Sequence, residues 1–124
     1  MTIKHISAVT FAVRNMARSL AFYRKLGFQL VHGGEQATFS SLRFGEAFVN
    51  LSTAPKYKGQ WWGRAIFRVD NADAYHRSLT AAGLQAEQPR DAPWGERYFH
   101  LTDPDGHELS FAQLLPPAGA DTPT

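Results

Sequence analysis

The chain repeats itself. Phe11–Gln29 (FAVRNMARSLAFYRKLGFQ) lies over Phe67–Gln85 (FRVDNADAYHRSLTAAGLQ) at an offset of 56 residues. Phe11 meets Phe67, Val13 meets Val69, Asn15 meets Asn71, Gly27 meets Gly83 and Gln29 meets Gln85. In each copy, alternating apolar residues (Val9, Phe11, Val13; Ala65, Phe67, Val69) predict a strand that runs into an asparagine. Asn accepts an orphan helix N–H and so starts a helix. Apolar residues then recur at helical spacing: Met16, Leu20, Tyr23 and Leu26, then Ala72, Tyr75, Leu79 and Ala82. A glycine follows each helix, where a left-handed cap favours it.

Strands complete each copy. The first reads Phe28–Val31, a Gly33-Gly34 break, Thr38–Phe44, a turn at Gly45-Glu46, and Ala47–Ser52. The second reads Gln85–Gln88, a loop rich in Pro and Asp, Arg97–Thr102, an Asp103-Pro104-Asp105-Gly106 turn, and Glu108–Leu114. The expected fold is α+β, one domain over 1–116 built of two tandem βαβββ modules. Module 1 spans about 5–52, a linker 53–60, module 2 about 61–115, with a loose tail over 117–124. With 124 residues the chain is long enough to bury a core.

One helix covers only one face of such a sheet. Side chains alternate along a strand, so parity sorts them. The apolar set (Val9, Phe11, Val13, Val49, Leu51, Ala65, Phe67, Val69, Phe99, Leu101, Leu109, Phe111) is expected under the helices. The opposite parity carries Ala8, Thr10, Ala12, Phe48, Asn50, Ser52, Trp62, Arg64, Ile66, Arg68, Tyr98, His100, Thr102, Glu108, Ser110 and Ala112. That face is polar, charged and aromatic. Two such curved sheets, with helices on their outer faces, form a cup lined by those residues.

At this point the chain resembles the vicinal oxygen chelate superfamily, the glyoxalase/bleomycin-resistance/dioxygenase group. The resemblance runs from about His5 to Leu114. It is carried by VRNMARSLAFYRKLGF, GRAIFRVDNADAYHRSL and PWGERYFHLTDPDGHELSF in that order. The last motif most resembles the bleomycin-resistance branch. Enzymes of the superfamily hold a divalent metal from four strand positions, and registering the motifs places these on Ala8, Asn50, Arg64 and Ser110. None is a strong ligand: Ala8 has no donor atom, Arg64 is a permanent cation, and the other two offer neutral oxygens. The resemblance therefore implies no metal and no cofactor. It implies a homodimer holding a small organic ligand.

The remaining candidates are read from the residues. His100 and Glu108 share the open face, whereas His107 points the other way. Two ligands fall short of a zinc or iron site, so a cross-strand polar pair or a ligand contact is favoured over a metal. Arg64 and Arg68 project from one face. They either pair with carboxylates, Glu108 first, or form a wall for an anionic ligand. Trp62 and Trp94, with Phe48 and Tyr98, suit stacking on a planar compound, and Trp61 suits packing or an interface. Tyr98, His100 and Glu108 are the acid–base candidates should the chain be an enzyme of lyase, isomerase or dioxygenase type. His5, His32 and His76 are read as solvated, as are Arg14, Arg18, Arg24 and Lys25.

Composition narrows the partners. The net charge is +2 with no Lys/Arg cluster, against nucleic-acid binding. No apolar run approaches the roughly 18 residues of a membrane span, and the first residues have no signal-peptide core. A cytoplasmic protein is expected. There is no cysteine, so thiolate chemistry is excluded. The bleomycin-resistance branch is acidic, which suits a cationic drug. A basic chain with two open-face arginines points instead to an acidic or neutral aromatic compound, bound and sequestered.

Overall fold

The computed structural model describes residues 1–117. Most of the tail expected to be loose therefore lies outside the described residues. The element order is β1 (Val9–Val13), α1 (Met16–Leu26), β2 (Gln29–His32), β3 (Phe39–Phe44), β4 (Ala47–Thr53), β5 (Arg64–Arg68), α2 (Ala72–Ala81), β6 (Arg90–Ala92), β7 (Glu96–Thr102) and β8 (Glu108–Leu114). This is βαβββ twice. The strands form two four-stranded mixed sheets, ordered β1-β4-β3-β2 and β5-β8-β7-β6. In each, the first and last strands of a module pair in parallel and the other pairs are antiparallel.

The two compact units are not the two repeats. The first holds Met1–Trp61 together with Asp103–His107, and the second holds Trp62–Thr102 and the chain from Glu108 onward. The turn between β7 and β8 thus belongs to the first unit.

Both helices begin and end as the repeat requires. The Asn15 side chain accepts from the Arg18 amide and the Asn71 side chain from the Ala74 amide, each at 2.9 Å. Gly27 has φ +112°, its amide donates to Arg24, and the Phe28 amide reaches back to Tyr23 at 3.0 Å. Gly83, φ +89°, repeats this with Thr80 and Leu84 with Leu79. This is the paired closure that satisfies the last helix carbonyls. Phe28 then packs edge-on against Tyr23.

In the first unit α1 packs on β4, and Phe11, Val13, Leu20, Tyr23, Leu42, Val49 and Leu51 are buried between helix and sheet. In the second, α2 packs on β7 and β8 over Leu79, Phe99, Leu101, Leu109 and Phe111. Each fully buried aliphatic or aromatic side chain contributes roughly 1.5–3 kcal/mol, which the polar open faces do not offer.

One strand lies elsewhere than expected. Gln85–Gln88 does not join the sheet as a strand, and β6 instead runs Arg90–Ala92 within the segment read as a loop. Pro89 gives no N–H to a ladder and restrains the residue before it, so the regular ladder starts just after it, with Arg90 opposite Tyr98, and before it only the Glu87 amide is seen to reach β7, at the His100 carbonyl 3.1 Å away. Phe28 likewise falls outside β2 because its amide closes α1.

Candidate functional site

The open face of the first sheet carries a short polar relay. Register places Thr10, Asn50 and Ser41 side by side. Ser41 Oγ donates to Asn50 Oδ1 at 2.8 Å, and Asn50 Nδ2 donates to Thr10 Oγ1 at 3.3 Å. Next to this row, the Arg43 guanidinium lies over the exposed ring of Phe48 at 5.8 Å. Ala8 is half-buried just ahead of β1. At the far edge an open hollow of about 370 Å³ is lined by Gly27, Gln29, Arg43, Phe44 and Gly45, none of them a sequence candidate.

The open face of the second sheet gathers the other candidates. Arg64 on β5 sits opposite Glu108 on β8 and forms an ion pair with it. Arg68 pairs with Glu96 at 3.0 Å and donates to the Ala112 carbonyl at 3.1 Å. Of the two readings of these arginines, the structure shows carboxylate pairing. Glu96 escaped the sequence reading, although its parity on β7 matches Tyr98 and His100. Its carboxyl is held below the usual range, first by the Trp94 indole N–H at 2.7 Å and then by Arg68.

An aromatic strip runs along β7 from the turn before it. The Trp94 ring stacks on Tyr98 with centroids 5.9 Å apart, and Tyr98 lies 5.2 Å from His100. Arg90 covers the Tyr98 ring at 5.0 Å and its Nε donates to the Tyr98 hydroxyl at 2.8 Å. That hydrogen bond raises the Arg90 pKa further above its usual value. Arg90 was missed because its strand was misplaced. Ser110 is buried opposite His100 in the β7–β8 register. His100 Nδ1 is buried and has no hydrogen-bond partner among the described residues. Trp62 is half-exposed ahead of β5, and Trp94 is more open still. Trp61, expected to pack or to form an interface, is 70 % exposed.

Two readings of charged residues need correction. Arg14 and Arg18 are not merely solvated: both reach Asp105 Oδ1 at 3.0 Å, and the Arg14 amide and Ser19 hydroxyl add further bonds to that carboxylate. The Asp-Pro-Asp-Gly turn is thus an anchor in the first unit. Asp103 Oδ2 accepts from the Tyr23 hydroxyl at 2.8 Å, and Oδ1 caps the amides of Asp105 and His107. His107 is buried, 2.7 Å from the Ala12 carbonyl through Nε2, with Phe11 and Tyr57 rings beside it. His76 is half-buried edge-on against Phe99 rather than solvated, whereas His5 and His32 are exposed.

The four positions that the family resemblance assigns to a metal do not fit a divalent cation. In the first unit Ala8 presents a methyl group, and the Asn50 oxygen already accepts from Ser41. In the second, Arg64 is a cation paired with Glu108, and Ser110 is a neutral hydroxyl. Among the described residues, no group of three or more His, Cys, Asp or Glu stands close enough to hold a metal elsewhere.

The family model for the glyoxalase/bleomycin resistance protein/dioxygenase superfamily matches residues 2–111. The chain belongs to this superfamily. Among solved structures, a bleomycin-binding protein complexed with bleomycin is similar at 24 % identity, over 89 % of this chain and 98 % of that one, with a TM-score of 0.78. Fosfomycin resistance proteins FosX share the fold too. The one from Mesorhizobium loti has 21 % identity over 90 % of this chain and 93 % of its own, TM-score 0.70. The one from Listeria monocytogenes has 15 % identity over 90 % and 94 %, TM-score 0.74. At these identities the likeness is one of fold. No curated protein matches the sequence. No helix among the described residues is long and apolar enough to cross a membrane.

Proposed function

We propose that this superfamily member is a metal-independent binding protein that sequesters a planar or anionic organic compound, in the manner of an antibiotic-resistance protein. The observation that carries this is the strip Trp94, Tyr98 and His100 on an open sheet face. Stacking rings give a flat ligand area and orientation without chemistry. In this reading the protein works as a cytoplasmic homodimer, without nucleic acid or membrane.

The test is calorimetric titration with bleomycin and a panel of planar aromatic compounds, in buffer with and without chelator. A chelator-insensitive binder should emerge from the aromatic panel, with affinity falling about tenfold in Trp94→Ala, since a stacked ring is worth roughly 0.5–1.5 kcal/mol beyond its buried area. Bleomycin should bind poorly. Submicromolar bleomycin binding would overturn the charge argument, and unchanged affinity in Trp94→Ala would remove the strip from the site. A second reading, a lyase, isomerase or dioxygenase-type enzyme, is favoured only by His100 standing beside Tyr98. Turnover that vanishes in His100→Ala and Glu108→Ala would establish it.

A further inference from the structure

Charge on the second sheet's open face is already balanced where a ligand would meet it. Arg64 has Glu108, and Arg68 has Glu96. A ligand carboxylate arriving there must displace a protein carboxylate or lie beside it, and like charges placed together oppose binding. Arg90 is the remaining cation on the strip. Its charge lies over the Tyr98 ring, and its Nε is taken by the Tyr98 hydroxyl.

What lacks a partner is a hydrogen-bonding nitrogen. His100 Nδ1 is buried without a partner, an arrangement that disfavours the folded state unless something supplies one. The imidazole as a whole is half-buried, and its ring torsion has two broad, roughly opposite minima, so a turn of the ring exchanges the places of this nitrogen and the opposite ring edge. Register sets the Ser110 hydroxyl opposite it, and the Tyr98 ring is its neighbour along the strand.

Resting on the binding reading above, we infer that the ligand of this face is a planar aromatic compound bearing an uncharged hydrogen-bonding substituent, such as an amide or phenol. His100 and Ser110 recognise that substituent, and a carboxylate in its place is rejected. The Arg64–Glu108 and Arg68–Glu96 pairs are then specificity elements: they remove the anion site that two bare arginines would create.

Three probes of one shape test this: 2-naphthamide, 2-naphthoate and 2-naphthylmethylammonium, titrated calorimetrically into wild type and variants checked for native circular dichroism. Wild type should bind the amide about tenfold more tightly than the carboxylate, as one buried hydrogen bond and its alternative would give. His100→Phe keeps an aromatic ring there and should bring amide and carboxylate within about threefold. Glu108→Gln frees the Arg64 guanidinium and should tighten the carboxylate about tenfold without changing the amide. Wild type that prefers 2-naphthoate, or a preference unmoved by His100→Phe, overturns the inference while leaving a binding protein. Binding of none of the three probes overturns the binding reading itself and the inference with it.

Discussion

Asp105 has no exposed side-chain surface, yet it stands among four donors from α1 and its approach: the Arg14 amide and Nε, Arg18 Nη2 and Ser19 Oγ. Removing it leaves the part-buried Arg14 amide and the buried Ser19 hydroxyl without an acceptor, while the two guanidiniums keep access to water. Asp105→Ala should lower stability by roughly 1–3 kcal/mol in urea denaturation, the penalty of leaving part-buried donors unsatisfied while the half-exposed guanidiniums turn to water. Asp103 behaves differently. Burial raises its pKa above the ordinary 3.8, against the lowering effect of the His107 amide, the Tyr23 hydroxyl and the Asp105 amide. The folded state therefore holds this proton more tightly than the unfolded chain. The resulting stability is full below the ordinary value and is lost as pH rises through the raised one. Asp103→Asn keeps an oxygen for the two amides and cannot ionise. Its stability relative to wild type should improve from acid pH towards neutrality, read from denaturation midpoints across that range. A ratio that stays flat would show that Asp103 does not titrate in that window. None of this was legible in the sequence, where Asp-Pro-Asp-Gly reads as an ordinary turn and its partners in the first module lie 80 or more residues away. Contacts of that range leave no periodicity to read.

At the scale of elements the sequence was far more legible, because caps and periodicity act locally. Parity sorted Phe11, Val49, Leu51, Phe99 and Leu109 to the covered face, and all are buried. The same parity rule put Tyr98, His100 and Glu108 on the open one. It failed where a strand was misplaced: with Arg90–Ala92 read as loop, Arg90 could not be set beside Tyr98. The repeat also predicts unequal consequences at two equivalent glycines. Gly27 and Gly83 both hold positive φ, which costs an L-residue about 1–2 kcal/mol. A Cβ on Gly83 meets open space, whereas one on Gly27 falls 2.7 Å from the Phe44 ring, which packs edge-on against Phe28. Gly83→Ala should therefore lose about 1–2 kcal/mol, and Gly27→Ala about 1 kcal/mol more. Thermal and urea denaturation of the two variants would show it. Equal losses would mean that the Phe44 ring swings aside freely.

Over the whole molecule, duplication explains both what the chain keeps and what it has given up. Each module retains the helix caps, the parallel closing pair and the covered core that its fold requires. The four positions that the family resemblance assigns to a metal fall two in each module, and all four hold groups unsuited to a cation: Ala8 and Asn50 in the first, Arg64 and Ser110 in the second. Replacing a ligand by an arginine does more than weaken a site, since a guanidinium repels a divalent ion and here also occupies Glu108, the nearest carboxylate. Chain purified without chelator should accordingly carry less than about a tenth of an equivalent of zinc, nickel, manganese or iron, well short of the single ion of an occupied site. Adding each metal should leave the melting temperature unchanged. The second readout is sensitive, because an ion at a hundredfold excess over its Kd stabilises the folded state by about 2.7 kcal/mol. Near one equivalent, lost in His100→Ala or Glu108→Ala, would place a chelating site on the second sheet and turn the search from ligands to substrates.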